Sequence, residues 1–98
     1  MNDDDTEMLS QFFGGWFHQD WDYDASSDDE ILDRYKDAYP RPHREKLATL
    51  IEEFSSTRDD PSLERALVHD FHCYYRPEGS GLSKRSWLAH VSARLRSE

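Results

Sequence analysis

His69, His72 and Cys73 fall within five residues of one another. On a helix, His69 and Cys73 would share a face at i, i+4. Nitrogen and sulfur ligands so spaced could begin a zinc site, but a structural zinc needs four. The chain holds one cysteine, so His18 or His43 would have to converge from elsewhere. No pair of close-spaced Cys or His motifs provides for that. Thiol catalysis at Cys73 would need an exposed, activated thiolate in a cleft. A cysteine flanked by Phe71, Tyr74 and Tyr75 reads instead as a small buried residue.

The run Asp20-Trp21-Asp22-Tyr23-Asp24 places acids where a calcium loop needs its first three ligands. The rest of the loop does not follow. Ala25 stands where the turn needs glycine, Ser27 where an apolar residue is usual, and Ile31 where a bidentate glutamate should close the site. A solvated acidic loop fits better. Ser80 sits between Gly79 and Gly81 but lacks the strand-to-helix turn of a nucleophile elbow. Acids spread along a loop make no acid–base dyad. The residues therefore point away from an enzyme and require no cofactor or metal.

Charge is the stronger signal. The net charge is −9, and residues 1–33 carry eleven acids with no Lys or Arg. Residues 34–98 carry twelve bases and ten acids, a balance of +2. The acidic part repels phosphate backbones, so neither direct nucleic-acid binding nor a membrane is expected there. A basic protein partner suits it. The basic residues of the last helix, Lys84, Arg85, Arg94 and Arg96, lack interleaved aromatics and form a thin nucleic-acid signal. They are available to pair with the acidic half of the same molecule.

A single cysteine allows no intramolecular disulfide, which fits a reducing compartment. Met1-Asn2-Asp3-Asp4-Asp5 is the opposite of a basic signal-peptide start, and no apolar segment long enough to span a bilayer follows, so the cytoplasm is expected.

The positioning elements follow from the apolar spacing. Ninety-eight residues suit one domain, here a flexible acidic tail over 1–5 and a helical domain over 6–98. Thr6 offers an N-cap. Leu9, Phe12, Phe13, Trp16 and Phe17 then repeat as i, i+3, i+4, i+7, i+8, a helix burying one aromatic face. Gly14 and Gly15 fall inside it and need a reason, such as close approach of a neighbouring helix. Residues 18–27 read as a loop.

A second helix starts near Ser27 or Asp28 with acids in its first turn, buries Ile31, Tyr35, Ala38 and Tyr39, and ends at Pro40 and Pro42. A third runs from about Pro42 to Phe54 with Leu47, Leu50, Ile51 and Phe54 inward. A fourth is capped by Asp60, with Pro61 at its first position, and runs to about Tyr75 with Leu63, Leu67, Phe71 and Tyr74 inward. Pro77, Gly79 and Gly81 reverse the chain. Ser83 caps a fifth, which buries Trp87, Leu88, Val91 and Leu95. No useful segment alternates with period two. The expected fold is an all-α bundle of about five helices joined by short loops.

Together these residues carry a resemblance. Leu9-x-x-Phe12-Phe13-x-x-Trp16-Phe17-His18-Gln19-Asp20-Trp21-Asp22, a mid-chain helix ending in Tyr39, then Cys73-Tyr74-Tyr75, a glycine-containing loop and Trp87-Leu88 resemble the CdiI-type immunity proteins of bacterial contact-dependent growth inhibition. One departure is His72, where the pattern would have a glycine before the cysteine. The resemblance implies a cytoplasmic antidote with no catalytic activity. Such proteins bind the C-terminal toxin domain of a cognate CdiA effector, and many of those toxins are nucleases. A monomer in a 1:1 complex is the expected form.

Members of one such family neutralise different toxins, so the shared string reads as architecture. Phe17, His18, Asp20, Trp21 and Trp87 are then the structural motif, with His18, Asp20 and Trp21 fixing the exit of the first helix. The toxin-binding candidates are Asp22, Asp24, Asp28, Asp29, Glu30, Asp33 and Asp37. Other readings are a metal-binding regulatory protein using His69, His72 and Cys73, or a generic acidic interaction module.

Overall fold

The aromatic stripe of the first helix seeds the core. In a computed structural model, which describes residues 3–18 and 21–97 apart from the side chains of Asp22, Asp24, Glu78 and Ser80, helix α1 spans Asp3–Trp16. Leu9, Phe12, Phe13 and the following Phe17 are at most 1% exposed. Their rings meet edge-on: Phe12 and Phe13 lie 5.0 Å apart, and Phe17 and Trp87 5.2 Å apart. Such geometry places the positive edge of one ring on the negative face of the next. The helix already runs at Asp3, ahead of Thr6, and the carboxylates of Asp3, Asp4 and Asp5 near its N-terminus complement the helix dipole. Asp5 also lies 3.6 Å from Lys46.

One turn, α2 (Trp21–Asp24), leads to α3 (Asp28–Ala38). Ser27 caps α3 by accepting from the Glu30 amide, and the Glu30 carboxylate reaches back to the Ser26 amide at 2.9 Å. This reciprocal arrangement satisfies donors that a helix start leaves free. Ile31, Leu32 and Tyr35 are buried, Tyr39 partly so, whereas Ala38 is exposed. Helix α4 (Arg41–Ser56) follows Pro40 at its N-cap. Its inward residues are those expected, with Ala48 added.

The fourth long helix departs most from expectation. Asp59, one residue earlier than Asp60, supplies the cap by accepting from the Ser62 amide at 2.9 Å. Helix α5 (Asp60–Arg65) then widens into a π turn at Ala66–Asp70 and stops. It does not reach Tyr75. The Phe71 amide donates to Ala66 O at 2.9 Å and the Cys73 amide to Leu67 O at 2.8 Å, and His72 adopts φ +56°. A left-handed residue past the last turn is the ordinary way to end a helix, and glycine is its usual occupant. Beyond it the chain is extended, and counted from Phe71 the burial alternates: Phe71, Cys73, Tyr75 and Pro77 are buried and His72, Tyr74 and Arg76 exposed. Tyr75, not Tyr74, enters the core, and the alternation that the sequence reading did not find is here.

This extended segment closes on α1. The Tyr74 amide donates to Phe17 O at 2.8 Å. A Cβ added at Gly14 would sit 2.9 Å from Phe71 O. Gly14 is thus explained by close approach, of a helix end and not a helix side. A 3₁₀ turn, Pro77–Ser80, precedes α6 (Lys84–Arg96), which Ser83 caps. Helix α6 packs chiefly on α4, and Trp87, Leu88, Val91 and Leu95 are fully buried. Among the described residues there are five helices longer than one turn and no strand, an all-α bundle. No helix there is long and apolar enough to cross a membrane.

Candidate functional site

The N-terminal turns of α3 lie against α6, and this brings acids and bases together. Trp87 Nε1 donates to Asp28 Oδ2 at 3.0 Å. Asp29 Oδ1 pairs with His90 Nε2 at 2.7 Å, and Arg94 holds Asp33 at 2.5 Å. Three of the seven candidate acids are therefore engaged by the protein's own last helix. Glu30 accepts from Ser26 and pairs with Arg34 at 2.7 Å. The Ser26 hydrogen bonds, before the Arg34 charge, hold its carboxyl below the usual value. Asp37 is exposed. Asp20 and the side chains of Asp22 and Asp24 lie outside the described residues.

The basic residues of α6 are likewise engaged. Arg85 donates to Asp60 at 3.0 Å, to Arg58 O at 2.7 Å and to Ser55 O. Arg96 pairs with Glu52 at 2.7 Å, and Lys84 lies 3.7 Å from Glu64. Arg94 makes the expected pairing with the acidic half, through Asp29 and Asp33, whereas Arg85, Arg96 and Lys84 pair with Asp60, Glu52 and Glu64 of the balanced half.

His69, His72 and Cys73 are not brought together as one ligand set. The helix ends before His72, and His69 and His72 are exposed while Cys73 is only 4% exposed. Burial pushes the Cys73 thiol up to about 12, so thiolate chemistry at neutral pH is disfavoured. Among the described residues the group with metal-ligand spacing is Asp28, Asp29 and His90, whose ligand atoms lie within 4.8 Å. Trp87 and the Asp29–His90 pair already use these atoms.

Of the expected structural motif, the structure describes Phe17, His18, Trp21 and Trp87. Phe17 and Trp87 are fully buried, and the Trp21 ring packs edge-on against Tyr75 at 5.2 Å. His18 is half-buried. Between the end of α1, α2 and α3 lies a cavity of about 210 Å³ lined by Gly15, Trp16, His18, Trp21, Ile31 and Arg34. Gly15, Trp16 and Arg34 share no motif in the sequence. The signal was there in the second glycine, which the core does not need. Exposed Tyr23, 85% accessible, stands on α2 nearby in sequence.

No curated protein and no solved structure matches the chain. A model of the CdiI immunity protein family matches residues 5–95, nearly the whole chain, and the chain belongs to that family.

Proposed function

We propose that the protein protects its cell by binding the C-terminal toxin domain of a cognate CdiA effector, and that this toxin is a nuclease whose basic active site meets the acidic face. The observation that carries this reading is the charge split: eleven acids and no Lys or Arg in residues 1–33 of an immunity-family chain. A nuclease concentrates positive charge where phosphates bind, and carboxylates can occupy that surface while steering speeds the encounter. The contact set is Asp22, Asp24, Asp28, Asp29, Glu30, Asp33 and Asp37. Within it, Asp28, Asp29 and Asp33 have a second duty in holding α6, so Asp22, Asp24 and Asp37 are the residues to vary first. The complex forms 1:1 in the cytoplasm, and inhibition needs neither catalysis nor a cofactor.

Co-purification with the toxin domain encoded beside this chain tests the reading, followed by rescue of cells expressing that toxin. Complex formation and rescue are expected. A chain that neither binds nor protects contradicts it.

A further inference from the structure

Two adjacent glycines close helix α1, and glycine is disfavoured there relative to alanine. Gly14 has an internal reason, the Phe71 carbonyl. Gly15 has none: it is exposed, and a Cβ built on it would meet no atom within 4 Å. It instead walls the cavity of about 210 Å³ beside Trp16, Trp21 and Ile31. Trp16 and Trp21 are only partly buried against the core, and both line the cavity. Gly15 leaves this wall of the slot without a side chain, at a cost in helix stability that no contact among the described residues requires.

The surroundings say what fits. Arg34, on the rim, has its charge offset by Glu30 at 2.7 Å. Residues 20–33, which supply Trp21 and Ile31 to the walls, carry seven carboxylates and no Lys or Arg. Glu30 is matched by Arg34, and Asp29 and Asp33 by His90 and Arg94. This leaves Asp20, Asp22, Asp24 and Asp28 as the excess charge, two of them flanking Trp21 in sequence. Indole faces within a negative field attract cations, tryptophan most strongly among the aromatics. We infer that the slot between Gly15, Trp16 and Trp21 receives one arginine or lysine side chain from the surface of the toxin, an inference that rests on the toxin-binding reading above. The side chain lies along the two indoles. Filling a central pocket with one large side chain is how a few residues come to dominate an interface.

The test uses Gly15→Ala and Gly15→Leu in the full chain, with the purified cognate toxin domain as probe. Both variants should melt higher than the parent by roughly a few degrees, because Gly15 is free of internal contact. Both should bind toxin less tightly, Gly15→Leu by about thirtyfold or more, the loss expected of a blocked hot spot. Alanine replacement of each toxin arginine and lysine should reveal one whose loss weakens the parent complex but adds nothing in Gly15→Leu. Parent affinity retained by Gly15→Leu overturns the slot while leaving toxin binding intact. A lowered melting point for Gly15→Ala overturns it too, since the glycine would then serve the fold. Coupling only to an apolar toxin residue overturns the cationic occupant. A parent that does not bind toxin removes the toxin reading and the slot with it.

Discussion

The indole N–H of Trp87 donates to Asp28 Oδ2 at 3.0 Å, joining residues 59 positions apart. Trp87 is fully buried in the opening turn of α6, and Asp28 stands in the first turn of α3. This bond links the acidic segment to the core. It also gives Asp28 a structural duty independent of any partner, and Asp29 and Asp33 share that duty through His90 and Arg94.

Replacing Asp28 by alanine should therefore destabilise the free protein by about 1–3 kcal/mol, the cost of leaving a buried donor without its acceptor. The midpoint of urea unfolding should fall with an unchanged slope. Adding Trp87→Phe to Asp28→Ala should cost less than the two single changes summed, since donor and acceptor are then both gone. An unchanged midpoint for Asp28→Ala would show that the bond contributes nothing.

His72 gives the opposite sign. At φ +56° an L side chain is strained by about 1–2 kcal/mol, less for histidine than for most residues. His72→Gly should raise stability by up to about 1 kcal/mol, and His72→Val should lower it. Thermal melting reads this as roughly 4–8 °C per kcal/mol for a domain of this size. A lower melting point for His72→Gly would contradict the left-handed assignment.

Gly14→Ala should destabilise by about 1–3 kcal/mol, the usual range for overpacking against atoms that cannot yield. Its new Cβ would sit 2.9 Å from the Phe71 carbonyl, which is backbone. The loss should appear chiefly where α1 meets the extended segment, as faster amide exchange at Tyr74, whose N–H donates to Phe17 O. Unaltered exchange at Tyr74 would break that link.

The pH dependence follows from His43. Its ring stacks on Tyr39 at 4.3 Å and its Nε2 lies 2.7 Å from the Tyr35 hydroxyl. Burial first, and then the Lys46 charge, lower its affinity for a proton below the ordinary value of 6.5. The unfolded chain then binds the proton more readily than the folded one. The contribution is fully present above pH 6.5 and is lost as pH falls from there through the lowered folded value. Glu30 and Asp59, also lowered, add losses of the same sign only near and below their ordinary values of 4.5 and 3.8. Stability measured between pH 7 and pH 5 should fall in the parent and stay flatter in His43→Gln. Parallel curves would rule His43 out as the source.

The helices were legible because their signals are local. Ser27 and Ser83 cap where serine and the following pattern place them, and the stripes Leu9 to Phe17 and Trp87 to Leu95 face inward as spaced. What the sequence concealed is set by contacts between distant residues. Nothing between Leu63 and Tyr75 breaks a helix. The stop comes from the π turn, left-handed His72, and the closing of Phe71 O on Gly14 and of the Tyr74 amide on Phe17. The glycine expected before Cys73 marked that stop, with His72 taking a backbone conformation that glycine adopts without strain. The acids of α3 read as a partner-facing surface, and the residues that hold them, Trp87, His90 and Arg94, lie about sixty residues away. No spacing rule connects them.

Affinity for the toxin domain as a function of salt tests the central claim most directly, measured for the parent and for Asp22→Asn/Asp24→Asn/Asp37→Asn. Asp37 is exposed, and the triple change leaves Asp28, Asp29 and Asp33 with their ties to α6. The account predicts that the parent complex weakens steeply with salt, and that the triple variant binds less tightly with a shallower dependence. Equal affinity and an equal salt slope for the two proteins would contradict an acidic toxin-binding face.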